Sequence, residues 1–384
     1  MGTADRLSAT GPIGRPGLSR VRRLVVKVGS GLVSSSIGAD PGRIATLAEE
    51  IAGVRPGREV ALVTSGAIAT GMARLGLAER PRSIPEKQAA AAVGQAALMW
   101  QYERAFEVHR LPVGQVLVTA QDIADRTRYL NARNTLMTLL RLGVVPIVNE
   151  NDTVAVDEIK VGDNDNLSAL VASLVDADLL VLLTDVDGLY TADPRLDAAA
   201  RKLDTVDAVT DDIARLVWDR AGRVSVGGMT TKLAAAQKAA AAGIPMIIAR
   251  GGEPGVLRRL LAGELLGTYF AAKADPLTAR KRWIAFAVPP QGRLTVDDGA
   301  LRALTQQGRS LLPSGVVEVE GDFAAGEMVA VVGVGNGKEV GRGLVNFDAA
   351  ELRKILGANT RDIEARLGYK SADEVIHRDN LVIH

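Results

Sequence analysis

Cysteine is absent from this 384-residue chain. That removes thiol nucleophiles, disulfides and Cys-based metal sites together. Histidine is scarce: His109, His377 and His384 are the three, two of them within the last eight residues. A multi-His metal centre or a Ser-His-Asp hydrolase has too little to work with. Aromatic residues make up 3%, so Val, Leu, Ile and Ala must fill the interior. Neither sign of charge dominates: Lys plus Arg number 46 against 45 Asp plus Glu, a net charge of +1. A surface that attracts nucleic acid or anionic lipid as a whole is thereby excluded. No apolar run approaches the roughly 20 residues that span a bilayer. Residues 1–20 carry Arg6, Arg15 and Arg20 among Gly, Pro and Ser, without an apolar h-region. They read as a disordered leader rather than a secretory signal, and the expectation is a soluble cytoplasmic protein with no membrane partner.

What is present is apolar surface in plenty, 47% of residues, enough for two domains. From Val21 to Ala272 the pattern is strand, loop, helix, repeated. Apolar runs at Leu24–Val28, Glu59–Val63, Val113–Val118, Val144–Val148, Leu179–Leu183 and Met246–Ala249 predict strands. Helical spacing covers Pro41–Val54, Glu86–His109, Tyr129–Leu142, Leu167–Val175 and Leu233–Ala242. Such alternation implies an α/β fold, an open and mainly parallel sheet sandwiched by helices, because parallel strands need crossover connections. The pattern changes after residue 272. Short runs at Gly292–Val296, Gly315–Val319, Met328–Val332 and Gly341–Val345, with a helix at Ala349–Leu356, predict a small β-rich domain. The expected divisions are a leader 1–20, a first domain 21–272, a linker 273–288 and a second domain 289–384.

In open α/β sheets ligands bind outside the carboxyl ends of the strands. Here those ends carry Gly29-Ser30-Gly31, Thr64-Ser65-Gly66-Ala67, Asn149-Glu150-Asn151-Asp152 and Thr184-Asp185-Val186-Asp187. Lys27 interrupts the first strand, and a lysine in a buried strand needs an anion. A salt bridge would satisfy it, and so would a phosphate cradled by the adjacent glycine N–H groups. Gly227-Gly228-Met229-Thr230-Thr231-Lys232 precedes an Ala-rich helix, with Thr230 as the expected N-cap. By itself that stretch reads as a glycine loop with a solvated lysine. Gly162-Asp163-Asn164-Asp165-Asn166 packs more carboxylates and amides than a turn or cap requires. The amides can bind an amino acid's carboxylate and ammonium, and the carboxylates can orient lysines or hold Mg²⁺.

Three patterns are decoys. Gly333-Val334-Gly335-Asn336-Gly337 imitates a glycine fingerprint, yet Asn-Gly between two strands marks a hairpin turn. His377-Arg378-Asp379 imitates a protein-kinase catalytic loop but is followed by five residues only. Gly337-Lys338 is followed by Glu339, so it is no Walker A sequence.

Taken together, Lys27-Val28-Gly29-Ser30, Val63–Ile68, Asn149–Asp152, Lys160–Ala169 and Gly227–Lys232 resemble the glutamate 5-kinases of the amino acid kinase family. The resemblance runs from about Val21 to the end, and Pro289–Tyr369 is similar to a PUA domain. It implies ATP-dependent phosphorylation of the side-chain carboxylate of L-glutamate to L-glutamyl 5-phosphate, the first step of proline synthesis, with Mg²⁺ on the ATP phosphates. By the same resemblance Lys27 and Lys232 stabilise the transferring phosphoryl group and Asp165 positions those lysines. Ser65, Asp152 and Asn164 bind glutamate. Lys27, Gly29, Ser30, Thr184, Asp185, Val226, Gly227, Gly228, Met229, Thr230, Thr231 and Lys232 bind ATP, and no residue is assigned as a direct metal ligand. Proline as feedback inhibitor and a homo-oligomer are further implications. Acetylglutamate kinases typically have a second glycine where Ser30 stands, and aspartate kinases end in ACT domains that the C-terminal pattern does not resemble. An RNA-binding protein is the alternative of another class. From Lys273 onward fifteen basic residues face fifteen acidic ones, which gives RNA no support as the principal partner.

Overall fold

The computed structural model describes residues 15–35, 38–154, 164–192, 194, 197–216, 228–272, 281, 290–335 and 337–383. The chain divides into two compact units, one of Met1–Asp122 and Arg126–Pro276, the other of Leu277–His384 together with Ile123–Asp125. The expected linker, 273–288, lies outside the described residues except for Lys281.

In the first unit the strands are β1 (Arg23–Val28), β2 (Ser34–Ser35), β3 (Gly38–Ala39), β4 (Glu59–Val63), β5 (Val113–Val118), β6 (Val145–Glu150), β7 (Leu179–Thr184), β8 (Thr205–Val206), β9 (Met246–Arg250) and β10 (Thr268–Phe270). The helices are α1 (Pro41–Val54), α2 (Ala67–Leu75), α3 (Ile84–Glu107), α4 (Ala120–Ala124), α5 (Arg126–Arg141), α6 (Asn164–Leu174), α7 (Asp211–Arg215), α8 (Met229–Ala241) and α9 (Val256–Leu261). The eight-stranded sheet runs β5-β6-β4-β1-β7-β9-β10-β8. The pairs from β5 to β9 are parallel, while β10 runs antiparallel to β9. The chain leaves β1 for β4 on one side and returns as β7 on the other. The order therefore reverses between β1 and β7, the place where doubly wound sheets bind ligands.

Alternation along β1 decides which way its lysine points. Leu24, Val26 and Val28 enter one core with Ile44 and Leu47 of α1, Leu98 and Tyr102 of α3, and Leu257 and Leu260 of α9. Val25 and Lys27 therefore face the opposite side, where α6 packs against β1 and β7 and α8 packs against α6. Helix starts follow local chemistry. Asp40 accepts from the Gly42 and Arg43 N–H groups ahead of α1, with Pro41 in its first turn. Ser83 and Glu86 form a capping box on α3, an arrangement that satisfies two orphan N–H groups.

Helices α2 and α3 touch backbone to backbone. A Cβ on Gly71 would lie 1.7 Å from the Ala90 carbonyl oxygen, and one on Gly94 would lie 1.8 Å from that of Ala67. Glycine is required at both positions for this approach. Helix α2 has no apolar run long enough to announce it and was not anticipated from the sequence.

One expectation needs correction. Arg15–Arg20, assigned to a disordered leader, forms a 3₁₀ turn. Leu18 is fully buried in the α1/α3/α9 core. Arg15 donates to the Asp204 carbonyl at 2.7 Å and to that of Gly267 at 3.0 Å. An apolar anchor and satisfied backbone oxygens order a stretch whose Gly, Pro and Ser content suggested none. Residues 1–14 lie outside the described residues.

The second unit holds a five-stranded sheet of β11 (Gly292–Val296), β12 (Val316–Gly321), β13 (Met328–Gly333), β14 (Glu339–Leu344) and β15 (Leu381–Ile383), in the order β12-β11-β13-β14-β15. Helices α10 (Asp298–Gln307), α11 (Ala349–Ile355) and α12 (Ile363–Leu367) belong to the same unit. The first decoy does join two antiparallel strands, β13 and β14, although Asn336 lies outside the described residues. Among the described residues no helix is long and apolar enough to cross a membrane.

Candidate active site

Three elements converge on one carboxylate. Asp165 stands in the first turn of α6, fully buried. Lys27 reaches it from β1, Nζ to Oδ1 at 2.6 Å, and Lys232 from the first turn of α8, Nζ to Oδ2 at 3.1 Å. Thr231 donates its hydroxyl to Oδ2 at 2.9 Å. Both lysines are 5% exposed. Burial alone would raise the Asp165 carboxyl, but the two ammonium groups more than offset this and hold it below the ordinary aspartate value. Among the described residues these three groups sum to a formal charge of +1 behind the carboxyl ends of β1 and β7. A surplus positive charge in a low-dielectric setting is suited to an anion in front of it.

Lys27 thus has the carboxylate partner that its buried strand position demanded. Lys232 is not a solvated lysine. It stands at a helix start, where the dipole disfavours a cation, and Asp165 supplies the compensating anion. Two local readings shift. Helix α8 begins at Met229 with Gly228 as N-cap, so Thr230 lies inside the first turn and is not the cap. Helix α6 begins at Asn164, earlier than the apolar spacing indicated, because Asn and Asp are favoured in a first turn.

A second cluster adjoins the first through the Asn164–Asp165 peptide. Asn164 Nδ2 donates to the Thr64 carbonyl at 2.6 Å, to Ser65 Oγ at 2.9 Å and to Asn149 Oδ1 at 3.0 Å. This draws together the ends of β4 and β6 and the start of α6. Ser65 precedes Gly66, which has φ +107° and caps α2 without a side-chain bond, so the first N–H groups of α2 have no cap from that residue. Beside them lies a cavity of about 260 Å³, lined among others by Ala67, Gln95, Glu150 and Asp152. Burial pushes the Asp152 carboxyl up to about 6. Such a carboxylate has lost hydration and gains from a cationic ligand.

The expected nucleotide residues are placed as follows. The Gly29 N–H donates to the Leu183 carbonyl at 3.3 Å, across the β1/β7 switch point. Ser30 opens a short 3₁₀ turn and accepts on its carbonyl from Ser34 Oγ at 2.7 Å. Thr184 ends β7 and donates its hydroxyl to Asp185 at 2.8 Å, so these two pair with each other. Gly228 and Met229 form the α8 start. Val226 and Gly227 lie outside the described residues, as do Lys160–Asp163 of the Lys160–Ala169 motif.

Sequence reasoning passed over two polar side chains, Tyr102 and Gln95. Thr64 Oγ1 and the Tyr102 hydroxyl are 2.7 Å apart, both buried. Asn149 Nδ2 donates to Gln95 Oε1 at 2.8 Å. Gln95 and Tyr102 lie in the middle of the long α3, where no strand-end rule points. The available signal was Gly94, since glycine inside a helix costs about 1 kcal/mol and asks for a packing reason.

This fold and this lysine–aspartate cluster define a class before they define a protein. Residues 22–250 match the Amino acid kinase family and residues 292–367 match the PUA domain. The chain belongs to the amino acid kinase family, and within it to the group of its curated relatives, each named "Glutamate 5-kinase". The relative from Moorella thermoacetica is 52% identical over 371 residues, covering 96% of this chain and 98% of its own length. That from Azoarcus sp. (strain BH72) is 53% identical, with 96% and 100% covered. That from Geobacter sulfurreducens is 50% identical, with 95% and 98% covered.

Proposed function

We propose that this chain transfers the γ-phosphoryl group of ATP to the side-chain carboxylate of L-glutamate, giving L-glutamyl 5-phosphate and ADP. The observation that carries this reading is the Lys27–Asp165–Lys232 cluster at the sheet's switch point, in a chain about half identical to glutamate 5-kinases over their whole length. A carboxylate oxygen attacks the γ-phosphorus, and the bond to the β–γ bridging oxygen breaks. The glutamate side chain is ionised near neutral pH, so no proton has to be removed and no general base is required. Catalysis then rests on positioning and on neutralising charge. Lys27 and Lys232 supply the positive charge, and Asp165 holds the two ammonium groups in register.

Glutamate is placed with its ammonium toward Asp152 and its reacting end toward Ser65 and Asn164. Gly29, Ser30, Thr184, Asp185 and the Val226–Lys232 stretch receive the nucleotide. Mg²⁺ enters with ATP, on the phosphate oxygens that suit it.

We assign catalysis to 21–272 and a regulatory or assembly role to 289–384, joined by 273–288. RNA is not taken as the principal partner. Proline inhibition, homo-oligomerisation and a cytoplasmic location complete the proposal.

The test is Lys232→Ala in an ADP-coupled assay. The expected outcome is a fall in kcat on the order of 10²–10³-fold, the scale for removing one transition-state donor. The KM for glutamate should change far less. A kcat near wild type removes Lys232 from the assigned role, and activity on N-acetylglutamate but not on glutamate overturns the substrate.

A further inference from the structure

The polarity of one buried amide is fixed by a relay. The Glu150 N–H at 2.9 Å and Asn164 Nδ2 at 3.0 Å both donate to the same atom of Asn149, which must therefore be Oδ1. Asn149 consequently presents Nδ2 to Gln95, and the Gln95 atom receiving it at 2.8 Å is Oε1. Gln95 Nε2 is thus the end turned away from Asn149. Gln95 is 8% exposed and lines the 260 Å³ cavity. Its Nε2 is buried and has no hydrogen-bond partner among the described residues. A buried donor left unsatisfied is costly, and a leucine or methionine would fill the space without that cost. An orphan donor at the wall of a cavity points to an acceptor that arrives with a ligand.

The relay also has a direction. It starts at Asp165, which holds the two lysines, continues through the neighbouring Asn164 to Asn149 and ends at Gln95. The substrate carboxylate that is phosphorylated must lie toward the lysines. The far end of the same molecule lies toward Gln95. Glu150 and Asp152 line the same cavity and, being acceptors when ionised, suit the ammonium rather than a carboxylate.

We propose that Gln95 Nε2 donates a hydrogen bond to the non-reacting α-carboxylate of the amino-acid substrate and is a specificity-determining residue of this site. The inference rests on the glutamate-kinase reading above. It assigns to α3 a share of substrate recognition alongside the strand ends.

The experiment compares the full chain with Gln95→Glu and Gln95→Met. Substrates are L-glutamate and its α-amide, in which a carboxamide replaces the α-carboxylate and the side-chain carboxylate is kept. Gln95→Glu preserves shape and the acceptor for Asn149 but sets an anion where the donor stood. It should raise the KM for glutamate at least about tenfold, the scale of one hydrogen bond to a charged group. It should also shift kcat/KM toward the α-amide by a similar factor, because the new carboxylate accepts from the amide NH₂. Gln95→Met should raise the KM for glutamate without creating that preference. The KM for ATP should stay within about twofold, and thermal melts report whether each variant is folded. The proposal is overturned by a glutamate KM within about twofold of wild type in a folded variant. An unchanged glutamate-to-α-amide ratio in Gln95→Glu, or a loss confined to kcat, overturns it equally. Should Gln95→Glu not fold, the Gln95→Met arm decides. Wild-type chain inactive on glutamate would instead overturn the functional reading, so the two failures are separated by the wild-type arm.

Discussion

Replacing Asp165 by Asn tests the charge cluster most directly. The substitution keeps volume and removes one negative charge from beneath two buried ammonium groups. At an effective dielectric of about 20, contacts of 2.6 and 3.1 Å correspond to about 6 and about 5 kcal/mol of gross attraction. Much of that offsets the desolvation of the three groups. Removing one member of such a buried set costs about 3–5 kcal/mol, because the remaining charges stay buried without that carboxylate. For a domain of this size each kcal/mol moves the midpoint by about 2–4 °C, so Tm should fall by about 6–20 °C. The measurement is a thermal melt without ligand, repeated with pyrophosphate. The polyanion should recover more stability in Asp165→Asn than in wild type, since it replaces the missing charge. Adding Lys232→Met to Asp165→Asn should restore part of the loss by deleting one of the two cations that faced the carboxylate. Turnover should fall by on the order of 10²-fold or more. A folded Asp165→Asn enzyme with Tm within about 2 °C and kcat within about threefold of wild type would refute the reasoning. The acid limb has a definite sign. The folded-state value of Asp165 is depressed, so its contribution is fully present above the unfolded value of about 3.9 and is lost as pH falls through the lower folded value.

Asp152 titrates the other way. Its carboxyl is pushed up to about 6 by burial, and the proposed ammonium contact needs it ionised. The kcat/KM for glutamate should fall with decreasing pH below about 6, while Asp152→Asn should be weak and flat there; a wild-type profile level down to pH 5 refutes the contact. Because this folded-state value is raised, the native state binds more protons than the unfolded chain between about 4 and 6. Stability from this group therefore declines as pH rises across that window. Gly94→Ala places a methyl carbon 1.8 Å from the Ala67 carbonyl oxygen, so the backbones of α2 and α3 must separate. Chemical denaturation should register a loss of about 1–3 kcal/mol or more. The KM for glutamate should rise as the α2 start moves; an unchanged melting curve and KM would show that the two helices adapt freely.

Much of this architecture was legible in one dimension. Hydrophobic period and length place β4, β5 and β11 to the residue: β4 is an apolar run buried after its first residue, and β11 alternates buried Leu294 and Val296 with more exposed neighbours. The doubly wound class follows from the alternation of strands and helices. So does the prediction that chemistry gathers at strand ends, whose clusters contain Ser65, Asp152 and Thr184; Asn164 came from the Asn- and Asp-rich stretch ahead of a helix. Lys27 could be marked as needing an anion by burial alone. Boundaries were less secure where capping chemistry outweighs apolar spacing, as at Asn164 and Met229. Composition misread Arg15–Arg20, whose order depends on where Leu18 and Arg15 find their partners.

What the sequence could not specify is which anion meets which cation. Asp165 is 138 residues from Lys27 and 67 from Lys232, and no local rule relates those positions. The sheet order brings β1 beside β7, alternation turns Lys27 toward α6, and the packing of α8 on α6 delivers Lys232. Only then does one carboxylate span both. The same holds for Gln95 and Gly94. In the chain they are an ordinary polar residue and an awkward glycine inside a helix. In the folded protein the glycine lets α2 and α3 touch, and the glutamine meets Asn149 at the wall of a cavity. Residue types and their period determine the layers and the edge at which ligands bind. Contacts across long separations decide the charge and hydrogen-bond polarity of the site, because both depend on neighbours that exist only after the sheet has formed.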